Sequence, residues 1–115
     1  MMTGRIWLDY LRDMIENTQK AISFVGSMDF DTFSKDEKTV YSVVRAIEII
    51  GEAAKKIPED ARKSYPKIPW RDISGTRDKL VHDYFGVNLS VVWKTVQEDL
   101  PVLLKQLTDM LNNFQ

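Results

Sequence analysis

The chain has 115 residues, 43% of them apolar and 29% charged, the composition of one ordinary folded domain rather than a disordered tail. It has no cysteine and a single histidine, His82. This excludes disulfide frameworks, thiol catalysis, cysteine zinc sites and a multi-histidine metal site within one chain. No apolar run is long enough to span a bilayer, and Met1–Arg5 lack the apolar stretch and cleavage site of a secretory leader, so a cytoplasmic protein with no membrane association is expected.

The formal net charge is −1, but the charges are unevenly spread. Residues 55–82 hold Lys55, Lys56, Arg62, Lys63, Lys67, Arg71, Arg77 and Lys79 against Glu59, Asp60, Asp72 and Asp78. A positive segment around the only histidine suits a polyanion; a solvated, lysine-rich helix face is the plainer reading of the same charges.

No strand pattern appears, and the predicted elements are all helical. Over residues 5–25, Trp7, Leu11, Met14, Ile22 and Val25 recur at helical spacing, with Ile6, Tyr10 and Ile15 widening the stripe. Residues 26–33 (GSMDFDTF) read as a loop. Ser34 followed by Glu37 reads as a capping box. It would open a second helix that runs to about Ile57, with Val40, Val43, Val44, Ile47, Ile50 and Ala54 facing inward and Gly51 allowing close approach of another helix. Pro58, Pro66 and Pro69 leave room for one short helix over 59–64, and Pro69 suits the first turn of the next helix. From there PWRDISGTRDKLVHDYF is helical, in one piece or in two joined near Gly75, and Gly86 ends it. Asn88 is placed to cap a last helix whose seam is Leu89, Val92, Val96, Leu100, Leu103, Leu107, Met110 and Phe114, with a kink or restart at Pro101. An all-α, antiparallel four- to five-helix bundle forming a single domain over 1–115 follows.

The chemistry falls on Arg77-Asp78-Lys79-Leu80-Val81-His82-Asp83-Tyr84. Arg77 and Tyr84 share a helix face with Ile73 and Leu80. Asp78 is one turn before His82 and suits orienting the imidazole. An arginine on a core-facing stripe needs a partner, either Glu48 or Glu52 of the second helix or a bound phosphate.

RDKLVHDY resembles the R-x4-H signature of HEPN domains in its R-x4-H-x-Y form. IEIIGEAAKKIP and IPWRDISGTRDKLVHDYFGVNLSVVWKTVQEDLP extend the resemblance to the HepT-like branch over roughly residues 5–110. The resemblance implies a helical HEPN homodimer and a metal-independent ribonuclease with no cofactor. It implies a toxin that acts on RNA, transfer RNA included, with an MntA-like nucleotidyltransferase antitoxin as partner. Carried over, Arg77 and His82 are the catalytic pair, Asp78 is the supporting polar residue, and Tyr84 is the tyrosine that receives AMP from the partner.

Metal-free RNA cleavage needs a base for the 2′-OH, an acid for the leaving oxygen and a cation for the phosphorane. One chain has one histidine, so a two-histidine mechanism requires two chains. Arg77 and His82 fall about 140° apart on a helix, a further reason to expect a site completed across a two-fold cleft. Three rival readings are a histidine phosphotransfer module, a HEPN nucleotide- or RNA-binding module without catalysis, and a DNA-binding helical protein. Acidic Asp83 speaks against the first, and a last helix poor in basic residues speaks against the third.

Overall fold

The computed structural model describes the backbone of residues 6–83 and 88–115, and the side chains of these outside 77–83. All of the regular structure among the described residues is helical: α1 (Trp7–Val25), α2 (Phe30–Lys35), α3 (Glu37–Ala54), α4 (Glu59–Lys63), α5 (Trp70–Asp83), α6 (Leu89–Lys94), a π-helical segment (Thr95–Asp99) and α7 (Leu100–Phe114). Among the described residues no helix is long and apolar enough to cross a membrane.

α1 forms because its apolar residues recur at helical spacing, and Leu11, Met14, Ala21 and Val25 are sealed in the core. Thr18 is buried with them without penalty, since its hydroxyl donates to the Met14 carbonyl at 2.7 Å. α3 packs against α1 and α5, and its predicted residues Val40, Val43, Val44, Ile47, Ile50 and Ala54 are buried, as is Gly51. It ends at Ala54, about three residues before the expected end at Ile57, whose side chain is nevertheless core.

α7 closes the bundle against α1. Phe114 meets Trp7 edge-to-face at 5.0 Å between ring centroids, so the end of α7 lies at the start of α1 and the two helices run antiparallel. Val92, Val96, Leu100, Leu103, Leu107 and Met110 are buried as the predicted seam. Leu89 is half-buried and Phe114 more exposed. The expected interruption at Pro101 takes the form of a π turn. Proline lacks an N–H for the α-helical ladder, and the Leu100 N–H immediately before it donates to Thr95 O, five residues back.

Two local expectations are corrected. Residues 26–33 are not all loop, because α2 begins at Phe30, capped by Asp29, whose carboxylate accepts from the Thr32 N–H at 2.8 Å. Ser34 is no helix cap, since its hydroxyl donates to Asp31 O within α2. The cap of α3 is Asp36, which accepts from the Thr39 N–H at 3.1 Å. Six residues cannot hold a helix by themselves. α2 persists because Phe33 is fully buried and packs on Trp93 of α6 at 5.4 Å, with Phe30 edge-on to the same indole at 5.8 Å.

The bond from Thr32 holds the Asp29 carboxyl below its ordinary 3.8. A depressed carboxyl stabilises the fold while ionised and loses that contribution as the pH falls through its folded pKa. Acidification is therefore expected to loosen α2 and shift Trp93 fluorescence. Asp29→Asn, which caps without titrating, should abolish the part of the acid transition that belongs to this cap.

α5 starts where Trp70 Nε1 donates to Tyr65 O at 3.1 Å, and it packs along α3 through Trp70 and Ile73. Pro69 precedes the helix as its cap, and its carbonyl accepts from the Ile73 N–H at 3.0 Å. The helix is one piece: it runs unbroken through Gly75 to Asp83. Gly86, expected to end it, lies outside the described residues. Asn88 precedes α6 but makes no side-chain bond to its backbone; its side chain accepts from the Ser90 hydroxyl.

Candidate functional site

Arg77, Asp78 and His82 all fall in the second half of α5. Their side chains, and Tyr84 altogether, lie outside the described residues. Helical register fixes where their positions fall around the axis. At about 100° per residue, position 77 is about 40° from Ile73, which is buried against α3, while position 82 is about 180° from Ile73. Position 82 instead continues, three turns on, the line that starts at exposed Arg71 and passes through exposed Gly75 and position 78. The motif is thus split between the core side and the solvent side of one helix.

On the core side a groove opens between α5 and the π segment with α7, a cavity of about 410 Å³. Its floor is Ile47 and Ile50 of α3, Ile73 of α5, and Leu100 and Leu103 of α7. The groove reaches Thr76, one residue before Arg77. Val102 stands on its edge, 58% exposed. Among the described residues, Asp72, Glu98 and Asp99 outnumber the one cation, Lys67, on the rim, so this described part of the groove is acidic as well as apolar. The π turn sets this rim, since Thr95, Glu98 and Asp99 all belong to it. Gln106 Nε2 donates to Lys67 O at 3.3 Å across the lower end, tying α7 to the segment that enters α5.

The groove was not foreseen from sequence. Its one signal is Val102, an apolar residue off the seam of α7. Glu52, one of the acids proposed for Arg77, has Arg45 of its own helix at 3.6 Å.

The basic segment is the other feature that the sequence singled out. Lys63 is paired with Glu59 at 3.5 Å, one turn apart. No ion pair is found for Lys55, Lys56, Lys67 or Arg71 among the described residues, and all four are exposed. They occupy the end of α3, the connection through α4 and the first turn of α5.

Comparison with known proteins is specific. The family description "Ribonuclease HepT-like" matches residues 14–110. A protein from Thermococcus cleftensis named "Probable ribonuclease HepT" is 50% identical over 95 residues, covering 83% of this chain and 86% of that protein. A provisionally named RNase from Methanocaldococcus jannaschii is 40% identical over 106 residues, 92% of this chain and 88% of its own length. Another, from Caldanaerobacter subterraneus subsp. tengcongensis, is 40% identical over 102 residues, 89% of this chain and 91% of its own length. No solved structure matches the chain.

Proposed function

This chain belongs to the HepT-like ribonuclease family, and from that premise we propose that it is a metal-independent endoribonuclease that cuts with Arg77 and His82 of two copies. The match over residues 14–110 carries the ribonuclease reading. The course of α5 supports the assignment of roles, because both motif positions lie on one continuous helix, position 77 toward the side of an open groove and position 82 toward solvent.

His82 takes the proton of a ribose 2′-OH. The 2′ oxygen then bonds to phosphorus, the bond from phosphorus to the 5′ oxygen breaks, and His82 of the second copy returns a proton to that leaving oxygen. The guanidinium of Arg77 offsets the charge that gathers on the phosphorane. The products are a 2′,3′-cyclic phosphate and a free 5′-hydroxyl. The second copy covers the groove beside α5, whose apolar floor a two-fold contact would bury and whose acidic rim repels RNA phosphate.

In this reading the enzyme is a toxin, with transfer RNA among its substrates, and its antitoxin is an MntA-like nucleotidyltransferase that transfers AMP from ATP to the Tyr84 hydroxyl. An adenylyl group there adds an anion and a purine on the Arg77 side of the helix and competes with the substrate phosphate. Tyr84→Phe should remain an active nuclease that the partner and ATP no longer silence. Loss of cleavage in that variant would make the tyrosine part of the chemistry instead. The proposal as a whole is tested by incubating purified protein with total RNA in EDTA and mapping the ends. Cyclic-phosphate termini are the expected result, and intact RNA overturns the nuclease reading in favour of a module that binds without cutting.

A further inference from the structure

Gly75 is an anomaly that the bundle does not explain. It sits inside a continuous helix, where glycine is the least favourable residue after proline. Yet a Cβ built on it meets none of the described residues within 4 Å. Among the described residues no neighbouring helix, turn or positive φ requires the absence of a side chain there. What glycine supplies at an exposed helix position with empty space above it is a strip of bare backbone on which another molecule can lie closely.

The line through Gly75 gives that molecule its chemistry. Arg71 lies one turn before Gly75, exposed and without an ion pair among the described residues. Position 82 falls within about 20° of both around the axis, and about 16 Å beyond Arg71 along it. Lys67, Lys55 and Lys56, exposed and without an ion pair among the described residues, carry positive charge along the chain between the end of α3 and the first turn of α5. The acidic groove rim of Asp72, Glu98 and Asp99 includes none of these positions apart from Lys67.

We propose that the outer line of α5, Arg71 and Gly75, fed by Lys67, Lys55 and Lys56, is the track for the single-stranded RNA that flanks the scissile linkage. Arg71 holds a phosphate upstream or downstream of the cut. Gly75 lets the sugar–phosphate backbone lie against the helix between that grip and position 82. Asp78 falls on the same line and Asp72, Glu98 and Asp99 stand on the groove rim with Lys67, so the main grip falls on Arg71, with Lys55 and Lys56 behind it. The inference rests on the ribonuclease reading above and adds where the strand runs.

The test uses full-length protein carrying His82→Ala, so that RNA is held without being cut, and a fluorescently labelled single-stranded oligoribonucleotide titrated over a range of KCl concentrations. Arg71→Gln in that background should weaken binding roughly tenfold at low salt and flatten the slope of log affinity against log salt by ~0.7, the value for one lost phosphate contact on a single strand. The double change Lys55→Gln with Lys56→Gln should flatten it further. Gly75→Ala should move two readouts in opposite directions: the melting temperature rises by a few degrees, while RNA affinity falls roughly threefold because the methyl group lifts the strand. Gly75→Leu should deepen the loss.

Unchanged affinity and slope in Arg71→Gln would overturn the track. So would a Gly75→Ala protein that binds RNA normally but shifts its monomer–dimer balance in sedimentation, since the bare backbone would then belong to the second copy. Neither result bears on whether the wild-type protein cleaves RNA in EDTA, so failure of the track and failure of the nuclease reading are separable.

Discussion

His82→Ala is expected to lower RNA cleavage by about 10²- to 10⁴-fold, the usual contribution of one general acid–base group, and further if both proton transfers in the two-fold site are lost. The size of the effect follows from composition. With one histidine and no cysteine in the chain, no other side chain has an unperturbed pKa near neutrality that could take over the role. Cleavage by the wild type should show a bell-shaped pH profile, because one imidazole must start neutral and the other protonated. The two limbs belong to the pair rather than to either residue. An inactive His82→Ala protein with unchanged melting behaviour, beside a wild type that leaves cyclic-phosphate ends, is the expected outcome. Equal cleavage by both proteins would remove His82 from the mechanism.

A mixing experiment extends the result. If one site needs His82 from both copies, mixing wild-type protein with an excess of inactive His82→Ala protein should lower the activity per wild-type chain, because each heterodimer keeps a single imidazole. Unchanged activity per wild-type chain after confirmed subunit exchange would confine each catalytic set to its own chain. The split of the motif across α5, with position 77 near the core side and position 82 on the solvent side, is the physical reason to expect a site shared between copies.

The long elements were legible in the sequence because their periodicity is strong. The predicted inward residues of α3, and those of α7 apart from Phe114, are buried; of the α1 stripe Leu11, Met14 and Val25 are buried, Trp7, Tyr10, Ile15 and Ile22 are half-buried, and Ile6 is exposed just before the helix. Pro101 marks a break that takes the form of a π turn. The same logic misjudged the short elements. GSMDFDTF is rich in turn formers, and α2 exists through the contact of Phe33 with Trp93, a residue 60 positions away, which no local window contains. A local signal was nevertheless present. Asp29 with Thr32 and Asp36 with Thr39 both place a carboxylate three residues before an N–H that it caps. Gly75 reads as a possible joint in sequence, yet α5 runs through it unbroken, although glycine costs about 1 kcal/mol relative to alanine inside a helix. Packing of Trp70 and Ile73 on α3 outweighs that cost.

For the site, sequence placed the motif on a helix and implied that its two ends face different ways. It could not reveal the groove. That feature depends on how α5 and α7 are placed in space, and its rim is made by residues far apart in sequence, among them Lys67, Asp72, Glu98 and Asp99. Nor could charge counting tell which cations of residues 55–71 are committed. Only the structure separates Lys63, held by Glu59, from Lys55, Lys56, Lys67 and Arg71, which have no ion pair among the described residues.

The largest expected effect on stability comes from α2. Phe33 is fully buried, whereas Phe30, three residues earlier on the same indole, is 40% exposed. Truncating a buried phenylalanine costs about 3–5 kcal/mol through lost burial and the cavity left behind, a large share of the roughly 5–15 kcal/mol by which a domain of this kind is stable. Phe33→Ala should therefore move the urea midpoint far down, whereas Phe30→Ala, with much of its ring already in water, should cost about 1 kcal/mol. The asymmetry is the informative quantity. Because α2 has too few residues to survive alone, the loss of Phe33 should also release Trp93, seen as a red shift of its emission before the global transition. Near-equal losses in the two variants would mean that α2 is held by the exposed edge-to-face contact rather than by the core. An unshifted midpoint in Phe33→Ala would mean that α2 contributes nothing to the fold.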